Sequence, residues 1–243
     1  MKILVPVSNA DYIDKYISAG ADELYLGFHD DDWNAEFGKY ADINRMSGFA
    51  ERANPFSFEQ LLEIIADIKN KIKGVFVTMN ANEYSPNQIQ YMEENYFPYL
   101  KAVGVDGVIL SDADAVHAAE EAELRAVAST MCAIYNEDIA KIYRDMGVKR
   151  MILPRDLSLN EIEKICTAMP DVHFEAFFMR NGCIFSDCYC LGMHRPECGA
   201  ACTYTRYGKS KYTHMYTDFS DYNSVDVNDY LYRTAFHIDA CAM

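Results

Sequence analysis

VFVTMNANEYSPNQIQYMEENYFPYLKAVGVDGVILSD, residues 75–112, is the stretch whose reading decides the fold. Val75–Met79 is a short apolar run that breaks into polar Asn80-Ala81-Asn82. Asn87–Val103 has helical apolar spacing and stops at Gly104. Gly107–Leu110 is a second apolar run, and it breaks into Ser111-Asp112. Apolar strand, amphipathic helix and apolar strand in that order describe a parallel βαβ unit with a right-handed crossover.

The pattern continues outward in both directions. Towards the N-terminus, Ser57–Lys71 is a helix stopped by Gly74. Glu23–Gly27 is a strand. Tyr12–Ala19 is a helix that Asn9 or Asp11 can cap and Gly20 ends, and Ile3–Val7 is the first strand. Asp30–Asn54 has no clear period and reads as a long loop. Towards the C-terminus, helices at Ala113–Glu123, Glu137–Met146 and Ser158–Met169 alternate with strands at Leu124–Ser129, Arg150–Leu153 and Val172–Phe178. Ser158 and Glu161 have the spacing of a capping box. This repetition predicts an α/β protein built as a TIM-like (β/α) barrel over residues 1–178. A doubly wound sheet is the alternative, but no Gly-x-Gly-x-x-Gly follows the first strand. Residues 179–243 lose the period and are expected to form an irregular cysteine-rich segment of the same domain, over the barrel mouth. No eighth strand is evident before Met243, which leaves open a barrel incomplete at its C-terminus.

Half of the 243 residues are hydrophobic, enough for one sizeable core. The formal net charge is −15, which disfavours RNA or DNA and makes a small molecule or a protein the expected substrate. Arg206, Lys209, Lys211 and His214 form the basic cluster of note. No apolar run reaches the roughly 18–20 residues of a membrane span, and Met1–Val7 lacks the features of a signal peptide, so a cytoplasmic protein is expected.

In a barrel, chemistry sits at the C-terminal ends of the strands. The residues there include Asn80, Asp112, Thr130, Arg155 and Glu175, each of which could also be a capping or loop residue. Arg155 has the planar fork that suits a substrate carboxylate. Cys183, Cys188, Cys190, Cys198 and Cys202 fall within twenty residues, and Cys241 lies near the end. Clustered cysteines in a reducing compartment point to metal. Soft thiolates suit an iron–sulfur cluster or zinc. The tight Cys-x-x-Cys knuckles usual for zinc are absent, so a 4Fe–4S cluster is favoured and zinc, with His194 as a further ligand, is the alternative. Gly-x-Ser-x-Gly and His-Glu-x-x-His are missing, so a hydrolytic centre finds little support.

Several stretches resemble one family in order and spacing. They are Ala19–Gly27, Val77-Thr78-Met79-Asn80, Gly104–Ile109, Ser129-Thr130 with Asn136, Gly147–Arg150 through Arg155-Asp156-Leu157-Ser158, and Glu175-x-Phe177 ahead of Cys183. Together they are similar to the collagenase-like peptidase family U32. The resemblance implies a barrel-type fold and a 4Fe–4S cluster. It also implies activities that include oxygen-independent hydroxylation of ubiquinone precursors and of ribosomal or transfer RNA, with prephenate as oxygen source. Carried over, Cys183 and Cys190 match the first two cluster cysteines, Cys198 and Cys202 a later Cys-x-x-x-Cys, and Cys241 a further ligand. Cys183, Cys190, Cys202 and Cys241 are the preferred set, with Cys198 competing. Three departures stand out: Met179 occupies a position where many members have His, the Cys190–Cys198 spacer is short, and no Leu-Lys-Ile-x-Gly-Arg strand follows Cys241. The expected function is an oxygen-independent hydroxylase or related oxidoreductase. The alternatives are a collagenase-like protease and a non-catalytic iron–sulfur partner in a heterodimer with a related member.

Overall fold

A computed structural model describes residues 1–38, 41–45 and 54–178. Within them, seven strands form one sheet: β1 (Leu4–Val7), β2 (Glu23–Leu26), β5 (Gly74–Met79), β6 (Gly107–Leu110), β7 (Ala126–Ala128), β8 (Arg150–Ile152) and β9 (His173–Glu175). Two further short strands, β3 (Phe28–His29) and β4 (Phe56–Ser57), pair separately. All pairings are parallel, and the order in the large sheet is β1-β2-β5-β6-β7-β8-β9. Strand order therefore follows chain order without a switch point. A doubly wound sheet reverses its order once, so that alternative is set aside. With every right-handed crossover running the same way, the helices gather on one face and the sheet curls.

One contact measures the curl. Arg150 on β8 bonds Glu23 on β2 at 2.5 Å. The two strands are four steps apart in the sheet order, about 19 Å if the sheet were flat. Side chains on its concave face can meet only if the sheet bends round.

The period of two assigns the faces. Leu24, Leu26, Val75, Val77, Met79, Val108, Leu110, Ala126, Ala128 and Met151 point outward into the main core, under the helices. Phe76, Ile109 and Val127 form a second cluster on the concave side, with Leu4, Tyr25 and Ile152 packed against them. Both faces are thus covered, which is why β5 and β6 are buried at every position.

The helices are α1 (Ile13–Ser18), α2 (Asp31–Phe37), α3 (Phe58–Ile68), α4 (Pro86–Asn95), α5 (Phe97–Val103), α6 (Ala113–Glu121), α7 (Glu137–Asp145) and α8 (Leu159–Ala168). Capping boxes open three of them, at Ser57/Gln60, Ser85/Gln88 and Ser158/Glu161. Gly104 ends α5 at φ 84°, a left-handed conformation that favours glycine.

Two expectations need correction. The stretch 30–54 is not simply a loop, because Asp30 caps α2 and the helix docks through Trp33. Trp33 is fully buried, its Nε1 donates to the Ala41 carbonyl at 2.8 Å, and its ring packs on Phe37, Tyr84, Tyr91 and Tyr96. The single helix expected over 87–103 is two helices that meet at Tyr96. Pro98 lacks the amide hydrogen needed to continue α4, and its ring clashes with the carbonyl four residues back. Among the described residues no helix is long and apolar enough to cross a membrane.

Candidate active site

The concave face carries an ionic network in a place that parallel strands normally fill with aliphatic side chains. Glu23, at the start of β2, is 1% exposed. It accepts from Lys2 Nζ at 2.6 Å and from Arg150 Nη2 at 2.5 Å. Arg150 Nε also donates to Glu175 Oε1 on β9. The Arg150 guanidinium lies 4.3 Å from the centroid of the Phe76 ring, a cation–π contact in a dry setting. Three strands are therefore tied through one arginine.

The network sets the charges. Burial pushes the Glu23 carboxyl up, but the hydrogen bonds from Arg150 and Lys2 outweigh it and hold the group below the usual carboxylate range. Burial also pushes Glu175 up, and there Arg150 opposes the shift without cancelling it, while Glu23 adds to it. Tyr25, one inward position along β2 from Glu23, has its phenol raised by burial. It lies in the opposing fields of Arg155, which lowers it, and Glu175, which raises it. The charges of Arg155 and Glu175 are thus both felt at the Tyr25 phenol.

The other rim residues take different parts. Asp112 caps α6, accepting from Asp114 N at 2.9 Å and Ala115 N at 3.0 Å, and it also takes Tyr84 N at 3.1 Å. Its carboxylate holds the βα loop in shape. Asn80 accepts from Arg45 N at 3.3 Å, and its own amide donates to Asn44 Oδ1 at 3.4 Å, which ties the end of β5 to residues 41–45. Thr130 opens the short 3₁₀ turn 130–132 after β7 and is buried. Arg155 stacks on Phe177 at 4.5 Å. Thr78 Oγ1 donates to the Leu26 carbonyl at 3.2 Å. Beside it, Asn54 takes the place a side chain at Gly27 would fill, since a Cβ there would lie 2.0 Å from Asn54 Oδ1. Asn54 Nδ2 and Ser111 Oγ are buried without a hydrogen-bond partner.

Glu175 ends β9, Arg155 follows β8 and Asn80 follows β5, and Asp112 follows β6 with its carboxylate bonded to backbone. Tyr25 and Arg150 are site residues that position counting overlooks. The signal was present, because Glu23-Leu24-Tyr25-Leu26 and Arg150-Met151-Ile152 carry charged or polar groups inside strands that should be apolar throughout.

Cys183, Cys188, Cys190, Cys198, Cys202 and Cys241 lie outside the described residues. Among the described residues there is no group of three or more His, Cys, Asp or Glu that could hold a metal ion. The two described cysteines are poor ligands. Burial pushes the Cys132 thiol up to about 12, and its Sγ contacts the carbonyls of Leu110 and Ser111. Burial also raises Cys166. Thiolates for a cluster would thus come from residues 179–243.

A family model described as Peptidase family U32 matches residues 8–204. An uncharacterised protease of Methanocaldococcus jannaschii is 28% identical over 209 residues, covering 82% of this chain and 46% of the relative. The tRNA hydroxylation protein P of Helicobacter pylori is 24% identical over 193 residues, covering 79% of this chain and 42% of the relative. The chain spans less than half the length of either. A solved structure of a U32 peptidase superposes with a TM-score of 0.54 at 14% identity, over 72% of this chain and 67% of that one, a likeness of fold.

Proposed function

The chain belongs to peptidase family U32, and from that premise we propose that it is an oxygen-independent hydroxylase that modifies a base of RNA on the concave face of its curled sheet. In this reading the seven strands are the larger part of a TIM-like barrel, and residues 179–243 hold a 4Fe–4S cluster at the C-terminal mouth. The observation that carries it is the group Tyr25, Arg155 and Glu175. A phenol, a guanidinium and a carboxylate of raised pKa in one field can orient a polar substrate and move a proton. The name of the Helicobacter pylori relative supplies the substrate class.

Cys183, Cys190, Cys202 and Cys241 would hold the cluster, with Cys198 competing for a place. Bound on four thiolates, it would supply single-electron transfer. Hydroxylation removes two electrons from the substrate and adds one oxygen atom, so a co-substrate must give the oxygen and accept the electrons. Arg155 binds the anionic or polar part of the substrate, and Glu175 exchanges the proton at its free oxygen. A net charge of −15 means that RNA must be held locally rather than by the whole surface, and Arg206, Lys209, Lys211 and His214 are the residues proposed to do so.

Nucleoside mass spectrometry of RNA incubated anaerobically with the protein and cellular small molecules tests the proposal. A nucleoside heavier by one oxygen, absent with Glu175→Gln, is expected. Unchanged RNA together with cleavage of casein or collagen peptides would favour the protease reading that the name of the archaeal relative suggests.

A further inference from the structure

Among the polar contacts of the concave face, that of Arg150 with Glu23 spans four strand steps, while its contact with Glu175 joins neighbouring strands. Its Nη2 bonds Glu23 of β2 and its Nε bonds Glu175 of β9, the second and seventh strands in the sheet order. The side chain is 14% exposed, and its guanidinium carbon lies 4.3 Å from the centroid of the Phe76 ring. An arginine that only balanced charge would need one carboxylate. This one is held between two and rests over the Phe76 ring, so the direction from which it meets Glu175 is constrained by β2 and β5.

We propose that Arg150 is a positioning residue for Glu175, with Glu23 and Phe76 holding the guanidinium so that one oxygen of Glu175 is occupied and the orientation of the other is set on the concave face. Glu23 and Lys2 form the far end of the same strut. The consequence for activity rests on the hydroxylase reading, but the positioning itself does not.

The groups that face Glu175 act on it in opposite senses. Arg150 lowers its carboxyl, and Glu23 raises it as a like charge. Tyr25 feels the charge of both Glu175 and Arg155, and His173, two residues earlier on β9, is exposed. The strut therefore has a signature that simple loss of packing lacks. Removing the arginine and removing the distant glutamate must move the titration of Glu175 in opposite directions.

The experiment follows the side-chain carboxyl of Glu175 by carbon-13 NMR across pH in the full chain, assigning the signal by its loss in Glu175→Gln. Arg150→Met is expected to move the titration to higher pH, Arg150→Lys to move it part of the way because an ammonium cannot fork, and Glu23→Gln to move it to lower pH. If Arg150→Met does not fold, Glu23→Gln alone decides. An unmoved titration in Glu23→Gln, or an upward shift, overturns the proposal. So does an unmoved titration in folded Arg150→Met. On RNA, Arg150→Met is expected to lose on the order of 10²-fold in turnover, the usual result of a misplaced reacting group, with little change in KM. Shifted titrations with turnover intact in Glu175→Gln would leave the strut standing and remove Glu175 from the hydroxylase reading.

Discussion

Glu23 and Glu175 are two carboxylates on one arginine with opposite linkage to stability. Glu23 is held below its ordinary range, so it contributes stability above that range and loses it as pH falls through the folded-state value. Glu175 is held above its ordinary range, so the folded state grows less stable as pH rises through the carboxylate range towards neutrality. At pH 7, Glu23→Gln is expected to cost about 2–3 kcal/mol, below the full price of a broken buried pair because glutamine still accepts a hydrogen bond. The cost should shrink in acid. Glu175→Gln is expected to be neutral or stabilising by up to about 1 kcal/mol at pH 7, because the charged form is the one that burial disfavours. Urea unfolding at several pH values measures both. Asp112→Ala is expected to cost about 1–2 kcal/mol through the lost helix cap and the freed Tyr84 amide, with no specific effect on chemistry. Loss of turnover beyond the loss of folded protein would return Asp112 to the active site.

At the level of elements, the capping boxes at Ser57, Ser85 and Ser158 make local claims that can be checked one at a time. Each Ser→Ala change is expected to cost about 1 kcal/mol, read as a lowered urea midpoint at constant slope. The strands and most helices were legible in the sequence because each is a short apolar run or a capped amphipathic stretch ended by glycine. Helix α2 was not, since four acidic residues in Asp30-Asp31-Asp32-Trp33-Asn34-Ala35-Glu36 hide a helix held by little more than Trp33 and Phe37. The break at Tyr96 was written in Pro98 but masked by continuous apolar spacing on either side. The rim was readable from the polar residues that follow each strand. The network beneath it was not, because Arg150 meets Glu175 only once β8 and β9 pair, and it meets Glu23, 127 residues away, only once the sheet curls. Gly27 makes a related point, since its lack of a side chain matters only once Asn54 folds over it. Gly27→Ala is expected to displace Asn54 and lower thermal stability, and an unchanged melting temperature would mean that Asn54 moves aside at no cost.

For the whole molecule, parallel strands in chain order, a concave face with a pre-set carboxylate and a following segment rich in cysteine make one functional unit. In the proposed reading the sheet supplies rigidity and the cysteines of residues 179–243 would supply thiolates. A charge of −15 predicts that any association with RNA is weak and falls only modestly with added salt, because few cations meet phosphate and salt also screens the surface repulsion. Affinity that is unchanged between low and physiological salt would point to recognition without phosphate contacts. The reading as an iron–sulfur hydroxylase is tested most directly by iron, sulfide and zinc analysis of the anaerobically purified chain beside its Cys183→Ala variant. About four irons and four sulfides per chain, lost in the variant, are expected. About one zinc per chain, with neither iron nor sulfide, would contradict it.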